Sequence, residues 1–218
     1  MKVALCFSGQ ARFIKEGSYY FSKNLVGYDD VDVFIHSWED NQHNEILKCY
    51  SPENCIIEPQ KYDIVFGQDG LTEMEFVHYS MFYSIMKSDE LRLEYEKRNN
   101  FVYDCVIRSR FDVALLDKLN VLDYDLSLIN SPDMCRNPKV ISDWLLFSNS
   151  DNMKVFSKVY ESMVDYKMSG VMMTSGEELM THHMRVNDLS MNKTSVNMPL
   201  IRNNRTSIGG WIYVGDLK

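Results

Sequence analysis

The stretch IRSRFD, residues 107–112, sets Arg108, Arg110 and Asp112 at every second position directly after the apolar run YDCVI. In an extended chain alternate side chains share a face, so two guanidiniums and a carboxylate project together. At about 3.3 Å per residue, Arg110 and Asp112 lie about 7 Å apart and the trio spans about 13 Å, comparable with a diphosphate and its metal ion. Arginine offers a planar fork suited to phosphate oxygens, and a carboxylate can hold Mg²⁺ or Mn²⁺. The same residues admit a plainer reading, in which Arg108 or Arg110 pairs with Asp112, or with helix carboxylates, at a sheet edge.

Such a surface has to be delivered by strands. KVALCFSGQARF opens with five apolar residues, Val3 to Phe7, and turns through Ser8-Gly9-Gln10; VDVFIHSW repeats the pattern and runs into His36, Ser37 and Trp38. YDCVI is the third such strand, expected to leave the core near Ile107. Between the second and third, Val77, Met81 and Ile85, joined by Phe82 and Met86, recur at helical spacing ahead of DELRLEYEKR. This predicts one long helix, half buried and half solvated, stopping at Asn99-Asn100.

A further helix is predicted from Ser150 or Asp151, with Met153, Phe156, Val159, Tyr160 and Met163 on one stripe, and a shorter one from Ser175, where S-x-x-E forms a capping box with Glu178. GGWIYV reads as a final strand. Strands alternating with helices predict an α/β/α sandwich, Rossmann-like, with a mostly parallel central sheet in a single domain over residues 1–218. In such sheets ligands bind outside the carboxyl ends of the strands, where the Arg-x-Arg-x-Asp surface falls.

Composition narrows the classes. A formal charge of −8 and a pI near 5.1 argue against a broad nucleic-acid surface, so any polyanion site is local. Cys6, Cys49, Cys55, Cys105 and Cys135 are scattered without CxxC, which fits neither a disulfide framework nor structural zinc and suits a reducing cytoplasm. No apolar window reaches the length of a membrane span. The fourteen methionines read as core filling.

The first strand ending in Ser8, Gly9, Gln10, Arg12 and Phe13, then DVFIHSW, then a helix followed by YDCVIRSRFD, resembles a group of GT-A-fold glycosyltransferases. These include the chlorovirus enzymes that build capsid-protein glycans and related capsular polysaccharide enzymes. The resemblance covers about residues 1 to 185. It implies a nucleotide-sugar donor, UDP-linked, a divalent Mn²⁺ or Mg²⁺, and transfer to a hydroxyl of a growing glycan or glycoprotein acceptor, in the host cytoplasm if the chain is viral. Ser8, Gly9, Gln10 and Arg12 would line the nucleotide pocket, Arg108 and Arg110 would face the diphosphate, and Asp112 would match the last Asp of the DxD metal motif. Arg110 stands where that motif has its first Asp; an arginine can do part of a metal's work on a leaving phosphate. His36 could contact the donor or flank the pocket with Trp38, and Tyr83 lies in FYSIMKS, a stretch the family favours, although burial would equally explain a tyrosine there.

For the base that an inverting transfer needs, Asp143 in SDWLLFS, just after the strand-like Val140-Ile141, is the first candidate, with helix or turn capping as its structural alternative; Glu177 is the second, since Glu178 is taken by the capping box. His182 and His183 diverge by about 100° on a helix, so at most one would reach a metal, and core or surface roles suit them better. Two other classes share parts of the pattern. A sugar nucleotidyltransferase would want a Gly-rich triphosphate loop where SGQAR has one glycine, and a non-catalytic nucleotide-sugar-binding module would need the cleft without the base.

Overall fold

In the computed structural model, which describes residues 1–61, 72–133, 137–171 and 175–203 and the backbone of 211–213, β1 (Val3–Gly9) lies inside a seven-stranded sheet. Its alternation sorts the core into two halves. Leu5 and Phe7 face one side, where they meet Phe21 of α1 (Ile14–Asn24) and Ile46 and Tyr50 of α2 (His43–Tyr50). Ala4 and Cys6 face the other, against Phe82 and Ile85 of α3 (Glu73–Asn99). The strands β2 (Val31–Trp38), β4 (Cys105–Ser109) and β6 (Leu145–Ser148) divide their side chains between the same two clusters. Helices therefore cover both faces of the sheet, as an apolar strand buried on each side requires.

The sheet order is β3-β2-β1-β4-β6-β5-β7, with β3 at Asn54–Glu58, β5 at Ile129–Pro132 and β7 at Met191–Thr194. All neighbours pair in parallel except at β6, which is antiparallel to both β4 and β5, so the expected mostly parallel α/β sheet is present in mixed form. A separate parallel pair joins β8 (Leu200–Arg202) to β9 (Trp211–Tyr213) within GGWIYV, and β8 docks on the loop after β4 through the Val113–Leu200 bridge. The helices α4 (Ser150–Phe156), α5 (Val159–Met168) and α6 (Gly176–Val186) pack with α3 on one face.

Several sequence expectations change. The segment β3 and its preceding helix α2 were not foreseen; every β3 residue is only half buried, and its apolar run is limited to Cys55, Ile56 and Ile57. The strand β4 continues through Ser109, two residues beyond Ile107, and Arg108 is inside it at 2% exposure. The helix from Ser150 breaks at Ser157-Lys158, where the Ser157 hydroxyl turns inward to Asp89 Oδ2 at 2.8 Å. Val77, placed on the buried stripe of α3, is exposed.

The charged half of α3 is the larger correction. Asp89, Arg92 and Glu96, three and four residues apart, are all buried. Arg92 bridges both carboxylates, Ser150 donates to Glu96, and the Tyr103 amide donates to Glu96 at 2.8 Å. The network pairs these charges inside the core, with Arg92 Nη2 meeting Asp89 Oδ1 at 2.7 Å as an ion-pair contact that forms no hydrogen bond, and ties α3 to the first turn of α4 and to the residues entering β4.

Candidate functional site

From β1 the chain moves outward to β2 and β3, while β4 lies on the other side of β1. The strand order reverses between β1 and β4, and a crevice opens outside their carboxyl ends at such a point. The turn that leaves β1 is held on two sides. Gly9 has φ 106°, a conformation L side chains avoid; its N–H donates to Ser84 Oγ of α3 at 2.7 Å and its carbonyl accepts from Ser37 Oγ of β2 at 3.0 Å. The cleft there has a volume of about 310 Å³. Ser8, Gly9, Gln10 and Arg12 line it from β1 and its exit, Arg108, Arg110 and Asp112 from β4 and its exit, and Trp38, Asp143 and Glu177 are the other foreseen residues in its lining.

Asp143 arrives by a route different from the one expected. Val140-Ile141 is not a strand; Asp143 precedes β6, and because β6 is antiparallel to β4 with Leu145 opposite Ser109, its entry meets the exit of β4. The Arg110 N–H donates to the Trp144 carbonyl at 3.1 Å and extends that ladder by one step. Asp143 caps no helix; its Oδ2 takes Arg110 Nη1 at 3.1 Å.

The chain turns after Ser109, so the strand alternation expected through Asp112 is replaced by direct contact. Arg110 grips Asp112 in a bidentate pair, Nε to Oδ1 and Nη2 to Oδ2, both at 2.9 Å. The plain ion-pair reading of these residues is thus realised, inside the cleft and not at a sheet edge. Arg202, delivered by β8 with the Ile201 amide bonded to the Asp112 carbonyl, adds Nη1 to Asp112 Oδ2 at 2.6 Å. Arg108 donates through Nε to Ser8 Oγ at 3.2 Å and through Nη1 to the Asp143 carbonyl.

These contacts set the charge states. Burial opposes ionisation of Asp112, but Arg110 and then Arg202 outweigh it and hold the carboxyl below its ordinary range. Burial also works against the Arg110 cation, and Asp112 and Asp143 reverse the effect, raising its pKa. Arg108 lacks so close a carboxylate; burial pushes it down to about 10, which leaves it charged at neutral pH.

Other foreseen residues stand behind the cleft. His36 is fully buried, with Nδ1 on Ser84 Oγ at 2.8 Å and Nε2 on Glu58 Oε1 at 3.1 Å; burial lowers its pKa more than Glu58 raises it. Tyr83 also donates to Glu58, at 2.9 Å, and stacks on Trp38 with ring centroids 5.5 Å apart. The two therefore support a wall that Trp38 lines, and do not line it themselves. Tyr166 Oη bonds His183 Nδ1 at 2.7 Å and His183 Nε2 bonds the Val155 carbonyl at 2.9 Å, while His182 sits edge-on to the same tyrosine. Both histidines belong to the packing of α5 and α6. At the start of α6 the Glu178 amide donates to Ser175 Oγ at 3.2 Å, and that hydroxyl in turn donates to Glu177 Oε2 at 3.1 Å, so Glu177 is not the freer carboxylate it was expected to be.

The far wall of the cleft was not foreseen as a site. Gln60, Val77, His78, Ser80 and Met81 line it, with Gln60 donating to Ser80 Oγ at 2.9 Å. A Cβ at Gly176 would come within 2.9 Å of Met81 Cε, and this close approach seats the first turn of α6, with Glu177, against α3. Val77, which is exposed, and Met81, which also packs against the core, line the cleft; helical spacing reads a cleft-facing stripe and a core-facing stripe alike. Nothing local marks Arg202, which acts across 90 residues of chain.

A resident divalent cation does not fit Asp112. Both its oxygens already accept guanidinium N–H groups, and a metal there would stand among cations. Among the described residues no group of three His, Cys, Asp or Glu side chains is arranged to hold a metal ion, and no helix is long and apolar enough to cross a membrane. No family model matches the chain, and no curated protein matches it significantly.

Proposed function

We propose that the chain is a glycosyltransferase of GT-A type, moving a sugar from a nucleotide-sugar donor, with UDP as the first nucleotide to test, to a hydroxyl of a growing glycan, a capsid glycoprotein if the chain is viral. One observation carries the reading: Arg108 and Arg110, joined by Arg12, line a single cleft at the point where the strand order reverses. A GT-A frame is compatible with that order. In the transfer, the bond from the sugar's anomeric carbon to the diphosphate breaks, its electron pair leaves on the phosphate oxygen, and the acceptor oxygen forms the new bond as its proton passes to a carboxylate. Guanidiniums aimed at the leaving oxygens stabilise the charge that develops there.

The surroundings support Glu177 over Asp143 as the proton acceptor. Asp143 is bonded to Arg110, on the diphosphate side, whereas an inverting base belongs on the opposite face of the sugar. Glu177 comes from the wall formed by α3 and α6. A binding module without catalysis is the second reading, favoured by one fact: Asp112, Asp143 and Glu177 each already accept a side-chain hydrogen bond.

Calorimetric titration with UDP and other nucleoside diphosphates tests the site, and failure of all of them to bind, with or without Mn²⁺, would sink it. Slow donor hydrolysis, measured as free sugar, separates enzyme from module. In an active protein Glu177→Gln is expected to lower kcat by about 10²–10⁴ with diphosphate affinity unchanged. Loss of activity in Asp143→Asn alone would return the base to Asp143.

A further inference from the structure

We infer that the cleft binds the diphosphate of its ligand without a divalent cation, Arg110 and its neighbours taking the place of the metal and Asp112 acting as the residue that positions them. The inference rests on the glycosyltransferase reading only for the identity of the ligand; the site itself is argued from its donors and acceptors.

A magnesium or manganese site needs oxygen ligands with lone pairs to spare, commonly one or two carboxylates together with phosphate and water. Asp112 accepts three charge-assisted hydrogen bonds, from Arg110 Nε and Nη2 and from Arg202 Nη1, at 2.9, 2.9 and 2.6 Å. Its side chain is 4% exposed, so water cannot take over if those bonds are broken. Asp143 spends an oxygen on Arg110 as well. To admit a cation the carboxylates would have to release guanidiniums that would then face it across a few ångströms of low-dielectric space.

The arginines, in contrast, keep donors in reserve. A guanidinium has five N–H groups. Arg110 places three on Asp112 and Asp143, and two remain; Arg108 places one on Ser8 Oγ and one on the Asp143 carbonyl, and three remain. Both line the same cleft. The cleft is lined by Arg12, Arg108 and Arg110 against Asp112, Asp143 and Glu177, and the adjoining Arg202 brings a fourth guanidinium, so the site itself carries a net positive charge. Asp112 fixes the plane of the Arg110 fork before any ligand arrives, as an outer carboxylate orients a ligating histidine at a metal centre.

The test is calorimetry on the whole chain with UDP, and separately with inorganic pyrophosphate, each in EDTA and in millimolar Mn²⁺. Affinities are expected to agree within about threefold between the two conditions, and a preference for Mn²⁺ of about tenfold or more would overturn the inference. Titration of Mn²⁺ alone is expected to show no binding; binding that disappears in Asp112→Asn would also overturn it. Arg110→Lys, which keeps the charge and loses the fork, is expected to weaken diphosphate binding about tenfold or more in EDTA. The metal arms use the unaltered protein, so they decide the matter even if a variant fails to fold. If pyrophosphate binds in EDTA and no nucleoside diphosphate does, the glycosyltransferase reading fails and the metal-free site stands. If neither binds in EDTA, the inference falls.

Discussion

Asp112 separates two kinds of acidic residue that share one letter in a sequence. A metal-ligating aspartate waits for its cation, whereas this one is already neutralised by Arg110 and Arg202 and nearly excluded from solvent. Its stabilising effect therefore has a defined pH window. The folded carboxyl is held below its ordinary range, so the contribution is complete above the unfolded value of about 3.9 and is lost as pH falls through the lower folded value. Asp112→Asn leaves two guanidiniums without their shared partner and is expected to cost about 3–5 kcal/mol at neutral pH. The gap between variant and parent is expected to shrink progressively below about pH 4, where the unfolded parent takes up its proton, and to level off once the folded carboxyl is protonated in turn at lower pH. Urea midpoints taken from pH 7 downward measure it; a gap that stays constant through the acid range would show that Asp112 is not held as an anion by these partners.

At the level of elements, the site depends on how closely α1 approaches the loop after β4. A Cβ built on Gly17 would lie 2.1 Å from the Phe111 carbonyl oxygen, a backbone atom that cannot swing aside. Phe111 sits between Arg110 and Asp112, so pressure there acts on the site although Gly17 does not line the cleft. Gly17→Ala is expected to destabilise the protein by about 1–3 kcal/mol and to weaken diphosphate binding as well. Thermal denaturation and calorimetry check both effects; a variant with full affinity would mean that the loop tolerates displacement of α1. Elements of this sheet were legible in proportion to their burial. VALCF, VDVFIHSW and YDCVI announce themselves because both their faces are covered, whereas NCIIE of β3 is half exposed throughout and offers only the short run Cys55 to Ile57. Asp89, Arg92 and Glu96 were misread for a different reason: charges three and four apart are equally the mark of a solvated face and of a closed buried network. Only the hydroxyls and amide that arrive from Ser150, Ser157 and Tyr103 distinguish the two.

Across the whole molecule, an acidic chain brings three arginines to one cleft, with Arg202 adjoining, and the parts of that cleft differ in how far sequence alone could find them. Ser8 to Arg12 and Arg108 to Asp112 each lie on one strand and its exit, so their association with a site follows from the sheet. Arg202 reaches Asp112 from β8, and Gln60 and Ser80 meet across the entry to α3; such pairings exist only once the chain has folded. The same fact makes ligand binding a probe of the global fold, because the unfolded chain holds no such arrangement. A ligand at about 100 times its Kd adds about 2.7 kcal/mol to the folded state. For a chain of 218 residues that corresponds to a rise in Tm of about 5–10 °C. UDP is expected to produce this shift, in EDTA as in Mn²⁺, and Arg110→Ala to abolish it. High salt is expected to diminish the shift, since at 1 M the screening length falls to about 3 Å and the exposed Arg12 is lost to the ligand before the buried Arg108 and the largely buried Arg110 are. A shift unaffected by Arg110→Ala would locate the nucleotide elsewhere on the molecule and detach the cleft from the function assigned to it.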